Sequence, residues 1–183
     1  MSSSPLLFLS PTRFRISRGT FRDYLALSPF HYRRGRPATV AGIWVVRYRC
    51  PLLRRSRVVA VAVLSWPVPS CSPRERFLGR FGRFDRRQNL RFANQNVRTI
   101  SRVIVHPQFR SIGLGVRLVH WVCLHCDTRY VEAMASMGRA HPLFERAGMT
   151  RVDPDFPGAP VYYVFDRRGC VPRISSRNAT RCA

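Results

Sequence analysis

The residues best placed to do chemistry lie in one run, Ser101 to Gly115, which reads Ser-Arg-Val-Ile-Val-His-Pro-Gln-Phe-Arg-Ser-Ile-Gly-Leu-Gly. A β-branched stretch (Val103, Ile104, Val105) reaches a His-Pro turn. The spaced set Arg110-x-x-Gly113-x-Gly115 follows and opens an apolar helical pattern. Strand, glycine loop and helix start, in that order, make a cradle for oxyanions. The first N–H groups of a helix have no partners within it, and the helix dipole is positive at that end. Glycine lets such backbone approach an oxygen-rich ligand without a Cβ in the way. Two phosphate-binding chemistries fail on residue type. A Walker A loop needs a lysine, and all 32 basic residues of this chain are arginine. A dinucleotide fingerprint needs a third glycine where this chain has Leu118.

The remaining pattern resembles the acyl-coenzyme A loop of the GNAT-type N-acetyltransferase superfamily, Arg/Gln-x-x-Gly-x-Gly/Ala. Val105-His106-Pro107-Gln108-Phe109-Arg110 is similar to the strand end that precedes that loop. Leu143-Phe144-Glu145-Arg146-Ala147-Gly148-Met149 is similar to a helix of the family's second motif. Met137 to Gly148 also resembles a subgroup of GNAT domains found with ABC-type ATPases. The resemblance is detailed over residues 99–149 and follows only the order of elements in the N-terminal half. It implies a single layered α/β domain whose mixed central sheet is splayed in the middle, with helices on both faces. It implies acetyl-coenzyme A as acyl donor, with the pantetheine arm lying in the splay like an extra strand. The implied cofactor-binding set is Val103, Ile104, Val105, Arg110, Ser111, Ile112, Gly113, Leu114, Gly115 and Val116, with Arg117 as a further phosphate contact. The N–H of Val105 would stabilise the tetrahedral oxyanion.

The acceptor implied is an amine, on a small molecule, a protein or an RNA. An alkyl ammonium titrates near pKa ~10.4, so a base must take its proton. Where some family members carry a strand glutamate, this chain offers Thr99 and Ser101. Glu132 is then the leading carboxylate, with a salt bridge to an arginine as its alternative role. His141 and His106 are the other bases, each also suited to capping a turn or helix. The family's tyrosine acid falls at Phe144, which cannot protonate a thiolate. Tyr163, or its neighbour Tyr162, is the replacement, unless solvent serves. The catalytic set is therefore Glu132, His141 and Tyr163. The rival reading is a non-catalytic module of the same fold that binds nucleic acid or a partner protein.

Composition bounds these readings. The chain has 183 residues, 45% of them hydrophobic, which suits one globular domain with a normal core. Formal charge is +23, from 32 arginines against 9 acids. Arginine in place of lysine fits GC-rich coding, but coding bias does not explain the shortage of acids. A polyanionic partner such as nucleic acid is therefore a candidate. Cys123-Leu-His-Cys126 invites a metal, yet Val119, Val122, Cys123 and Cys126 fall on the inward stripe of a helix, and no second pair matches them. No metal is expected, and the cysteines suit a reduced, cytoplasmic setting. The apolar patch Pro5 to Leu9 is too short for a signal peptide or membrane span.

The pattern places a first strand at Arg13–Arg18, a helix at Phe21–Phe30 and a hairpin from Ala41–Tyr48 and Val58–Trp66. Residues 67–96 read as a basic, partly helical insertion. Its arginines (74, 76, 80, 83, 86, 87), interleaved with Phe77, Phe81 and Phe84, either contact phosphates and bases or rest on the sheet. Strands follow at Ile100–Val105, Tyr130–Ser136 and Pro160–Phe165, with helices at Leu114–Cys126 and between Pro142 and Gly148. The domain spans 13–168, between a disordered leader (1–12) and a disordered tail (169–183).

Overall fold

The computed structural model describes residues 13–32, 35–50, 55–136, 138, 141–153, 156 and 158–169; the expected leader and nearly all of the expected tail lie outside them. Seven strands form one sheet: β1 (Phe14–Arg18), β2 (Gly42–Arg49), β3 (Ser56–Ser65), β4 (Val97–Val105), β5 (Tyr130–Ala135), β6 (Thr150–Val152) and β7 (Val161–Asp166), in the order β1-β2-β3-β4-β5-β7-β6. Helices α1 (Phe21–Leu27), α2 (Ser72–Phe77), α3 (Arg86–Asn96), α4 (Leu114–His125) and α5 (Leu143–Arg146) cover it. Every pairing is antiparallel except β4 with β5. That one needs a crossover, which α4 supplies.

Strand alternation sorts the core onto two faces. On one side Trp44, Val46, Ala60 and Ala62 join Val131, Ala133 and Tyr163 beneath α4, whose Leu118, Val119, Val122 and Cys123 are fully buried. On the other side Ile43, Val45, Val61, Val63 and Ile104 pack under Tyr24 and Leu27 of α1. Farther along that face Val97, Tyr130, Tyr162 and Val164 meet Phe77 of α2 and Ala93 of α3. The insertion therefore rests on the sheet through Phe77, while Phe81 and Phe84 stay outside, 57% and 42% exposed.

Reciprocal side-chain and backbone bonds begin two of the helices. Thr20 accepts from the Asp23 N–H while the Asp23 carboxylate accepts from Thr20 N–H at 2.8 Å, and Asp85 with Gln88 repeats the arrangement ahead of α3. Helix α3 runs into β4 with no loop between them. Strand β4 starts at Val97, three residues before the expected Ile100, because a buried arginine interrupts the apolar pattern there. Arg98 is satisfied locally: it donates to Asn94 O (2.9 Å) and Val97 O (2.8 Å) and lies over the Trp66 ring. Strand β6 has only three residues and no sequence pattern that announces it.

The middle of the sheet opens. Strands β4 and β5 pair only at Val97↔Tyr130, Arg98↔Val131 and Thr99↔Glu132, and then part. Immediately beyond, the β3–β4 register shifts: Val63 faces Arg102 and Leu64 faces Ile100, so Ser101 is an extra residue in β4. Such a bulge bends and twists its strand. It sits where β4 must turn away from β5. The expectation of a mixed sheet, splayed in the middle and covered on both faces, matches this architecture.

Candidate active site

The glycine loop has the geometry of a cradle. Gly113 is the N-cap of α4 at φ +82° and contributes no side-chain cap. The first intrahelical bond is Arg117 N–H to Gly113 O at 3.0 Å, which leaves the N–H groups of Leu114, Gly115 and Val116 without helical partners. A Cβ built on Gly113 would meet nothing within 4 Å, so glycine is needed here for its backbone angle, and the space beside it is open. Ser111 also has positive φ, 64°, an uncommon state for a residue with a Cβ. Gly115 serves differently. A Cβ there would lie 3.2 Å from Leu143 Cδ1 and 3.5 Å from Val105 Cγ2, so its absence lets α4 approach β4.

Backbone groups of β4 complete the cradle. His106 N–H donates to Val59 O at 2.8 Å, which makes this a hydrogen-bonded pair of the β3–β4 ladder. Alternation then makes Val105 and Val103 non-bonded positions whose N–H and C=O groups point away from β3, into the splay. A cavity of about 620 Å³ lies there, lined by Val103 to Val105, the loop residues Phe109 to Ser111 and Gly113 to Val116, the segment Pro29 to Tyr32, and His141, Leu143 and Arg146. Every residue of the expected cofactor set lines it except Ile112, which is exposed at the surface. Arg110 spans its rim, donating to Val105 O and Phe30 O, each at 3.2 Å. A second chamber of about 260 Å³ shares His31, Tyr32, Val103, His141 and Leu143 with the first. It adds Ser101, Arg102, Met134, Ala135, Gly138 and Phe144 among its lining residues.

Of the three expected catalytic residues, the structure brings only His141 to these chambers, and it lines both. Glu132 lines neither. Its carboxylate, 2% exposed, accepts from Arg74 (3.1 Å), Thr99 (2.7 Å) and Tyr162 (2.9 Å) on the face under α2. Arg74 is equally buried and also donates to Val68 O at 2.7 Å. The expected alternative, an arginine salt bridge, is what occupies Glu132. Burial and the neighbouring Glu132 charge push Tyr162 well above the usual phenol value and raise the Cys71 thiol as well. Tyr163 is fully buried, and its hydroxyl donates to Gly138 O (3.1 Å) with Glu145 Oε1 at 3.3 Å. Burial and the Glu145 charge raise its pKa, so it stays protonated; it lines neither chamber, although Phe144, whose tilted ring lies 5.2 Å away, and Gly138 both line the second. His106 caps its turn by accepting from Gln108 N–H at 3.3 Å. Cys123 and Cys126 pack in the core, where burial pushes the Cys123 thiol up to about 12.

Sequence reasoning missed several wall residues. Phe30, expected as the end of the first helix, and His31 and Tyr32 just beyond it face the cradle across the splay. Their signal was three consecutive aromatic or imidazole rings after a helix stop. Arg102 and Arg146 were passed over among many arginines.

Solved structures similar to this chain carry the same fold. An Escherichia coli GNAT-family N-acetyltransferase solved with coenzyme A aligns over 85% of this chain and 82% of its own, at 12% identity and a TM-score of 0.53. An agmatine N-acetyltransferase aligns over 84% and 99%, at 15% identity and 0.51. The aminoglycoside acetyltransferase AAC(6')-Ib, with coenzyme A and kanamycin, aligns over 85% and 95%, at 16% identity and 0.50. No protein-family model and no curated protein matches the sequence. The chain has the GNAT acetyltransferase fold.

Proposed function

We propose that this protein is an acetyl-coenzyme A-dependent N-acetyltransferase acting on an amine. The observation that carries this reading is the uncapped, glycine-headed start of α4 facing, across one cavity, the backbone groups of Val103 and the N–H of Val105 that point into the splay. The fold is shared with proteins solved with coenzyme A, which supports the same donor here. The N–H groups of Gly113 to Val116 hold the pyrophosphate, with Arg110 and Arg146 close by for charge-assisted contacts. The pantetheine amides pair with Val103 and Val105 as a missing strand would.

The reaction is a transfer. The neutral amine nitrogen attacks the thioester carbonyl, the carbonyl oxygen gains negative charge opposite the Val105 N–H, and the C–S bond then breaks. The nitrogen gives up one proton and the departing thiolate takes one. His141, shared by both chambers, is positioned to accept the amine proton. Protonation of the thiolate falls to solvent, since Tyr163 lines neither chamber.

Calorimetric titration of acetyl-coenzyme A tests the donor, with Gly113→Glu as the control. The open space at Gly113 means the variant's bulk and charge fall in the cradle and not in the core. Micromolar binding by the wild type, abolished in a variant that still melts cooperatively, is the expected result. A folded wild-type protein that binds no acetyl-coenzyme A would refute the enzyme reading.

A further inference from the structure

We infer that the acceptor is a small amine that also carries an oxyanion, a carboxylate or a phosphate, and that Arg102 receives that group. This inference rests on the acetyltransferase reading and names the substrate class of the same site.

Three observations carry it. The first is Arg102 itself, which lines the 260 Å³ chamber. Its Nη1 donates to the carbonyl of the adjacent Ser101 at 2.8 Å, while its Nε is buried and has no hydrogen-bond partner among the described residues. That Nε is covered by protein, so the part of the guanidinium left for a ligand is Nη2, which makes no hydrogen bond to the described residues. Through Nη2 the guanidinium can make a charge-assisted hydrogen bond to a carboxylate or phosphate oxygen. The second is the absence of opposition. No aspartate or glutamate is found among the described residues lining either chamber, whereas Arg102, Arg110, Arg146, His31 and His141 are.

The third is where the acids are. Asp23 pairs with Arg47, Asp127 with Arg98, Asp166 with Arg129, and Asp153 and Glu145 with Arg151. Glu132 pairs with Arg74, Asp85 caps α3, and Glu75 accepts from Cys71 N–H. All eight described acids are thus engaged in holding the fold. A polyamine or aminosugar with several positive charges would find no counter-ion here and would meet Arg102 instead, which costs affinity through like-charge repulsion. An amine whose own anionic group seats on Arg102 presents its nitrogen toward His31 and His141, at the junction of the two chambers.

The chamber's size restricts the class further. About 260 Å³ suits a group of amino-acid or phosphoamine dimensions.

The test uses the full-length protein saturated with coenzyme A and a panel of matched amines. Free α-amino acids are compared with their amides, phosphoethanolamine with ethanolamine, and agmatine and kanamycin serve as cationic members. Binding is measured by calorimetry and turnover by thiol release from acetyl-coenzyme A. The oxyanion-bearing member of a pair should bind about 10- to 100-fold more tightly than its neutral partner, the range expected for a charge-assisted pair. Which pair shows the difference separates carboxylate from phosphate. Arg102→Gln and Arg102→Ala should erase the difference while leaving the affinity for acetyl-coenzyme A unchanged; two variants guard against one that fails to fold. Equal or tighter binding by neutral or cationic members overturns the inference, as does a preference that survives both substitutions, or no binding by any oxyanion-bearing amine. Loss of acetyl-coenzyme A binding in the wild type is a separate failure, that of the enzyme reading beneath it.

Discussion

Two carboxylate-or-imidazole candidates, Glu132 and His141, show how placement decides a residue's work. Glu132 has three donors and no access to the chambers, and its partner Arg74 is 2% exposed. Removing the charge from one member of such a pair strands the other in a low-dielectric setting, at a cost of about 3–5 kcal/mol. Glu132→Gln is therefore expected to lower the melting temperature markedly while the folded fraction retains its turnover per molecule. His141→Gln should do the reverse, because the side chain is exposed and lines both chambers. Melting curves paired with active-site-normalised turnover separate the two. A Glu132→Gln protein with unchanged stability and lost turnover would restore the carboxylate to the chemistry. The sequence could not make this distinction. It showed a carboxylate on a strand beside the splay, but not that Arg74, 58 residues earlier, arrives on an inserted helix to neutralise it.

Among the elements, the ones legible from sequence were those with a local signature. The glycine loop, α4 with its buried stripe, and the β2–β3 hairpin appear within a residue or two of their expected ends, because turn chemistry and periodicity act over a few residues. The start of β4, all of β6 and the Ser101 bulge were not legible. Each depends on a partner strand or on a buried arginine satisfied by its neighbours. The two loop glycines looked equivalent in sequence and are not. Gly113 answers to a backbone angle, Gly115 to the approach of α4 to β4. Gly115→Ala must displace Leu143, a residue that lines both chambers. The strain of that contact is offset by the helix propensity alanine gains, up to about 1 kcal/mol, so stability should change by less than about 1 kcal/mol. The substitution should also weaken acetyl-coenzyme A binding several-fold by driving Leu143 into the cavity. Calorimetry and thermal melts on this variant check both numbers. Unchanged affinity would mean that the α4–β4 approach does not shape the cradle.

At the scale of the molecule, a charge of +23 sets a field around a site whose proposed ligands are anions. Arg83, Arg86, Arg87 and Arg91 of the insertion are exposed, and α3 joins the opposite end of β4 from the glycine loop. At about 3.4 Å per residue, the nine-residue β4 sets the end of α3 roughly 27 Å from the start of the glycine loop. That distance exceeds the screening length of ~8 Å at 0.15 M salt but is comparable to the ~30 Å found at 0.01 M. Two kinds of arginine should therefore separate by ionic strength. The cradle arginines act on bound ligand at any salt. The insertion arginines act only by steering, and only when salt is low. Arg83→Glu, Arg86→Glu and Arg87→Glu combined should slow acetyl-coenzyme A association several-fold at about 0.01 M salt. They should leave it unchanged near 0.15 M and leave the dissociation rate unchanged throughout, as stopped-flow binding would show. An effect that persists at the higher salt, or that falls on dissociation, would mean that the insertion touches the ligand directly and belongs to the site.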